Sequence, residues 1–202
     1  VCLCLRVSVS VSVSVCGRTY VSLVLTVSLR AGLKWVQEHI KAFGGNPNQV
    51  LLFGESSGGT DTAMQLLANK SWGLYQRAGL ESGAFFNWAF QPMDKAEKFY
   101  DILIKRAHWS NSSGTFNCSK AADLTGAARV ACLREMPTGD LMRQSARNYQ
   151  DAWDASAWAP VPDGVEFPVN STPMQLLASG AVAPVPVILG SNYDEGTGAS
   201  LS

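Results

Sequence analysis

The run from Phe43 to Gly59, FGGNPNQVLLFGESSGG, constrains this chain more than any other segment. Val50, Leu51, Leu52 and Phe53 form a short apolar run of the kind that makes a strand buried on both faces. Gly54, Ser56 and Gly58 follow at the spacing G-x-S-x-G, and Thr60 to Leu67 can continue as a helix. The order is therefore strand, sharp turn, helix, with one serine on the turn. Such a turn lifts a hydroxyl clear of a sheet. Glycines two before and two after the serine leave room for strand and helix to cross. The helix aims its amino end at the same place, where backbone N–H groups can stabilise an oxyanion. Ser56 is on this ground the candidate nucleophile. The plainer alternative is a turn serine that caps the helix. The bare pattern is expected by chance in roughly one in six chains of this composition, so the weight rests on its setting.

The rest of the chain supplies neighbours for that corner. Leu33, Val36, Ile40 and Phe43 recur at spacings of three and four and predict a helix with one apolar face, stopped by Gly44 and Gly45. Arg77 to Ser82 reads as a short strand. Pro92 opens a longer helix with Met93, Ala96, Phe99, Leu103 and Ala107 on its stripe. Residues 110–150 form a polar insertion with two or three short helices, and residues 152–170 a loop. Thr172 and Pro173 begin a short helix that ends near Gly180, and Pro184 to Gly190 reads as a last buried strand. Alternating strands and helices predict an α/β sheet.

Residues 1–30 stand apart. VSVSVSVSV is low-complexity alternation, flanked by CLCL and VSLVLTVS. Period 2 with β-branched Val argues for a strand, yet an all-Val face opposite an all-Ser face fixes no register. The segment reads either as an edge strand or interaction segment, or as a repeat-derived or mis-joined stretch. The expected organisation is a low-complexity segment over residues 1–30 and one α/β domain over residues 31–202.

Composition excludes several classes. Charged residues are 16% and the formal net charge is +0, which argues against a nucleic-acid surface or a polybasic membrane patch. No stretch is apolar for long enough to span a membrane. No Cys/His cluster has zinc spacing and no glycine loop has phosphate-cradling form, so neither a metal nor a cofactor is expected. Five cysteines are present, Cys2, Cys4, Cys16, Cys118 and Cys132, an odd count that leaves at least one unpaired unless another chain participates. Sequons of the form N-x-S/T occur at Asn69, Asn111, Asn117 and Asn170 and are candidate N-glycosylation sites if the protein enters the secretory pathway.

The long signature resembles that of the type-B carboxylesterase and cholinesterase family, a branch of the α/β-hydrolases. Phe43, Gly44, Gly45, Val50, Leu52, Gly54, Ser56, Ser57 and Gly58 fit its Phe-Gly-Gly, apolar strand and Gly-x-Ser-small-Gly. The likeness extends through LKWVQEHIKAFGG, YQRAGLESGAFFNWAFQP and ILGSNYDEGTG, over about residues 31–202. It implies a partial α/β-hydrolase fold, a central mostly parallel sheet with flanking helices, incomplete at both ends. It implies a serine esterase acting through an acyl-enzyme on Ser56, with a small-molecule carboxylic ester as substrate.

The resemblance also assigns roles. Glu195, in Tyr193-Asp194-Glu195-Gly196 after the last strand, matches the acid of the family's triad; the alternative is an ordinary loop acid. The N–H of Ser57 matches an oxyanion donor. Gly54, Glu55 and Gly58 frame the nucleophile, and Ser82 resembles a serine that supports the triad acid. Phe85, Phe86 and Trp88 lie where relatives line an acyl pocket, or are plain core. Cys118 and Cys132 match a loop disulfide, or are two buried thiols. Closing a loop of that size contributes roughly 3 kcal/mol in the chain-entropy model.

The base is the exception. The family's histidine follows the acid, whereas this chain has only His39 and His108, both expected to be surface or structural. The glycine loop that completes the family's oxyanion hole has no counterpart either. The expectation is therefore an esterase-type chain that is inactive as it stands. The alternatives are a non-catalytic adhesion or scaffold relative, or a product without function. Together the sequons and the cysteine pair point to secretion.

Overall fold

The computed structural model describes residues 20–86, 90–106, 126–143 and 159–195. Helix α1 runs Tyr20–His39 and passes into a 3₁₀ turn, Ile40–Phe43. Gly44 ends it at φ 78, with its N–H on Lys41 O, and Gly45 N–H returns to Ile40 O at 2.9 Å. This is the left-handed glycine stop that the sequence predicts. Towards its amino end the helix is already formed at Tyr20, well before the apolar spacing begins. Thr26 and Arg30 on this earlier stretch are buried, through polar contacts that hydrophobic periodicity cannot register.

Strand β1 (Leu51–Glu55) leads into α2 (Ser57–Leu67), which returns to β2 (Arg77–Glu81). Then come α3 (Met93–Arg106), α4 (Gly126–Glu135), α5 (138–143), α6 (Pro173–Ala178) and β3 (Val187–Gly190). The three strands are parallel in the order β1-β2-β3. Parallel neighbours need a crossover, and α2 supplies it between β1 and β2. The expected capping of α6 is present as a reciprocal box: Thr172 Oγ1 accepts from Gln175 N–H, and Thr172 N–H donates to the Gln175 side chain.

The core lies between α2 and the sheet. Ala63, Met64, Leu66 and Leu67 of α2 pack with Ala78 and Leu80 of β2, Leu33 of α1 and Leu176 of α6. Phe90 meets Phe167 edge to face with centroids 5.2 Å apart.

Two strands depart from the sequence reading. β1 is covered on one side only: Leu51 and Phe53 are 48% and 49% exposed. β3 is exposed throughout, with Ile188 at 79%. Among the described residues α2 covers one face of β1, and β3 lies at the sheet's edge. A continuous apolar run records what a strand can bury, not what is packed on it.

A buried ion pair joins distant segments. Arg30 of α1 forms a two-pronged contact with Glu166, through Nη1 on Oε1 at 3.1 Å and Nη2 on Oε2. Its Nε donates to Ser71 Oγ at 2.9 Å. Ser71 Oγ in turn donates to Gln65 Oε1 at 2.5 Å, and Gln65 Nε2 donates to Thr26 O at 3.0 Å. Lys70 adds a third prong to Glu166. Arg30, Glu166, Ser71 and Gln65 thus each have partners within the cluster, the condition under which such a cluster is tolerated in an interior.

Candidate active site

The turn after β1 is strained in the way the motif demands. Ser56 has φ 54 and ψ −118, a conformation that costs a non-glycine residue of order 1–3 kcal/mol. Surrounding bonds hold it there. Its N–H donates to Glu81 O at 2.8 Å, and its carbonyl accepts from Thr60 N–H at 3.1 Å. The Ser56 hydroxyl makes no capping bond to α2, so the helix-cap alternative does not describe it.

Close packing explains the glycines, though not as the pattern alone suggests. A Cβ on Gly54 would lie 2.3 Å from the Gly58 carbonyl. A Cβ on Gly58 itself would meet nothing within 4 Å, so Gly58 serves by its backbone being close to Gly54. At the same corner a Cβ on Gly59 would lie 3.0 Å from Gly83 Cα, and one on Gly83 would lie 2.2 Å from Ser56 O. The motif does not mark either of them. Gly54→Ala and Gly83→Ala are accordingly expected to destabilise the protein by about 3 kcal/mol each, at the upper end of overpacking costs. Gly58→Ala, in the first turn of α2, is expected to be neutral or to stabilise by up to about 1 kcal/mol. Urea unfolding of the three variants checks this contrast.

Register brings the candidate residues to one edge. Glu55 pairs with Glu81, and Glu81 with Gly190. Ser56, Ser82 and the segment after Gly190 therefore all leave the sheet at its carboxyl edge, where α/β proteins build their sites. Neighbouring strands lie about 4.8 Å apart, which sets the chain positions after β1 and β3 roughly 10 Å apart.

Ser82 stands between them at φ 48, its N–H on Gly190 O at 2.8 Å. Its hydroxyl donates to Glu195 Oε1, and Asn192 N–H donates to the same oxygen at 2.8 Å. The Ser82 bond first, and the Asn192 bond second, hold the Glu195 carboxyl below its ordinary value. The carboxylate therefore stays charged above that value, and the contacts that favour it are lost as pH falls through its lowered pKa. Glu55 is exposed at the end of β1. Asp61, one turn into α2 and unremarked in the sequence, is half-buried with its pKa pushed up to about 6 by desolvation.

Other expected residues fall elsewhere. Phe85 belongs to the core cluster, Phe86 is exposed, and Trp88 lies outside the described residues. His39 ends α1, 3.6 Å from Glu38 and against the Trp35 ring. His108, Cys118, Asn111 and Asn117 lie outside the described residues; Cys132 lies on α4. Among the described residues no group of His, Cys, Asp and Glu could hold a metal ion, and no helix is long and apolar enough to cross a membrane.

Known proteins are similar to this chain in sequence and fold. The sequence profile of the carboxylesterase family fits residues 27–201. An acetylcholinesterase of Danio rerio is 34% identical over 179 residues, covering 83% of this chain and 25% of the relative. A secreted lipase of Arthroderma benhamiae is 32% identical over 83% of this chain and 28% of its own length. A cholinesterase of Mus musculus is 32% identical over 82% of this chain and 25% of its own length. The crystal structure of a carboxylesterase from Geobacillus stearothermophilus superposes with a TM-score of 0.67 at 25% identity, covering 87% of this chain and 32% of that one. The chain thus spans about a quarter of the length of the curated relatives it matches.

Proposed function

This chain belongs to the carboxylesterase family, and from that premise we propose that it carries the nucleophile and the acid of a serine hydrolase acting on small carboxylic esters. Ser56 Oγ attacks the ester carbonyl and gives its proton to an imidazole. The charge that develops on the carbonyl oxygen is met by the N–H of Ser57 at the start of α2. The alcohol leaves with the proton, and water then releases the acid from the Ser56 acyl-enzyme by the same steps reversed in role. Glu195 orients the imidazole and stabilises it when protonated. No cofactor enters these steps.

The observation that carries this reading is the shared sheet edge. An imidazole bridging a serine and a carboxylate needs about 8 Å, two hydrogen bonds and the ring between them. The spacing from β1 to β3 accommodates that length, and the Ser82 hydroxyl and the Asn192 N–H hold one oxygen of Glu195 at that edge. His39 is turned to Glu38 and Trp35 and is not that base. His108 lies outside the described residues and is read, like His39, as surface or structural, so a chain of these 202 residues alone is expected to be inactive, whereas a longer family protein containing it is expected to be active. Secretion fits the same reading, since the similar lipase is itself a secreted protein. A Cys118–Cys132 disulfide also fits, Cys132 being disulfide-bonded.

Stopped-flow hydrolysis of an activated aryl ester by the full-length protein tests the chemistry. The expected result is a burst of alcohol matching the enzyme concentration, the mark of an acyl-enzyme. Steady turnover with no acylated Ser56 in the mass spectrum would contradict it.

A further inference from the structure

Two sequons lie within the described residues, and both asparagines are exposed. Exposure of the asparagine alone does not make an acceptor. The transferring enzyme must also grip the hydroxyl two residues on, with the segment drawn out of its fold. In this respect the two sites differ sharply.

Asn69-Lys70-Ser71 is wound into a 3₁₀ turn, Asn69–Ser71, after α2. Ser71 is 0% exposed. Both functions of its hydroxyl are used: it accepts from Arg30 Nε at 2.9 Å and donates to Gln65 Oε1 at 2.5 Å. Lys70 is tied as well, to Val165 O at 2.8 Å and to Glu166. Presenting this sequon would mean opening the Arg30–Glu166 cluster and separating α1 from α2.

Asn170-Ser171-Thr172 lies on a surface turn. Asn170 has φ 61 and stands exposed ahead of α6. Ser171 bonds locally to Pro168 O, and Thr172 Oγ1 only accepts, from Gln175 N–H at 3.2 Å. Releasing it frays the first turn of a six-residue helix. Such local opening is the least costly kind of unfolding.

We propose that Asn170 is an N-glycan acceptor that remains open in the folded protein, whereas Asn69 is closed to the transferring enzyme once Ser71 is buried. The donor is an oligosaccharide on a lipid pyrophosphate. Asn170 Nδ2 forms the bond to sugar C1 and the C1–O bond to the pyrophosphate breaks. The lipid pyrophosphate leaves with that electron pair, and one amide proton passes to a base of the transferring enzyme. A glycan on Asn69 is accordingly acquired before folding or not at all. The inference is independent of the ester-hydrolase reading.

The test uses protein made without glycans, incubated folded with purified oligosaccharyltransferase and lipid-linked oligosaccharide. Peptides carrying each sequon are run in parallel, and occupancy is read by mass spectrometry. Asn170 is expected to react in the folded protein within a few-fold of its peptide, and Asn69 at least about tenfold more slowly than its peptide. In Arg30→Ala, which removes the donor to Ser71, the Asn69 rate is expected to rise towards that of the peptide. Equal rates for Asn69 in folded protein and peptide, a blocked Asn170, or an Asn69 rate indifferent to Arg30→Ala would each overturn the proposal.

Discussion

Ser56→Ala is expected to lower kcat for ester hydrolysis by about a million-fold in the full-length protein containing this chain, the loss typical of removing a triad nucleophile. The fold gives no reason for the variant to be destabilised. The hydroxyl makes no capping bond, and the bonds that hold the corner use the Ser56 backbone, to Glu81 O and from Thr60 N–H. Alanine keeps the same backbone strain at φ 54. Substrate binding is expected to change little, because the lost interaction is made in the transition state. Steady-state kinetics with an aryl ester, alongside urea unfolding, separates the two effects. A large loss of turnover with unchanged unfolding is the predicted pair of results.

Glu166→Ala is expected to destabilise the protein by about 3–5 kcal/mol, the range for breaking a buried pair by removing one partner. Arg30 would keep its charge inside, with its Nη1 and Nη2 bonds to Glu166 gone and only Ser71 left to accept. Lys70, half-exposed, can turn to water and loses little. The effect reaches three segments, since Arg30 is on α1, Ser71 follows α2 and Glu166 precedes α6. Desolvation alone would raise the Glu166 pKa, yet hydrogen bonds and charge from Arg30 and Lys70 outweigh it and leave it below 4.5. The pair's contribution is thus present above pH 4.5 and lost as pH falls through the lowered value. Urea midpoints for parent and variant at neutral and acid pH check this. The two are expected to converge as Glu166 is protonated.

The strand–turn–helix corner at Ser56 was legible in the residues because its determinants are local. An apolar run, a serine flanked by glycines and a helical stretch lie within one short segment, and the structure joins them as β1, Ser56 and α2. The caps were legible for the same reason: Gly44 ends the first helical stretch and Thr172 opens α6. What long-range packing decides was not legible. Gly83 is separated from Ser56 by a whole crossover, and only the meeting of β2 with α2 makes its missing side chain necessary. Arg30 and Glu166 are 136 positions apart, and nothing near either one marks the other. Arg30 lies within the stretch read as low-complexity, where Val and Ser alternate with period 2, whereas residues 20–39 are helical. The coverage of β1 and β3 likewise depends on what packs against them, which an apolar run does not state.

The central claim is that Ser56 and Glu195 act as one unit across the carboxyl edge of the parallel sheet formed by β1, β2 and β3. Kinetics of ester hydrolysis for Ser56→Ala, Glu195→Gln and the double variant test it most directly. Glu195→Gln is expected to lower kcat by about ten-thousand-fold, and the double variant to be no slower than Ser56→Ala, because members of a triad are not additive. A Glu195→Gln variant that keeps near-parental turnover, or losses that multiply in the double variant, would contradict the account.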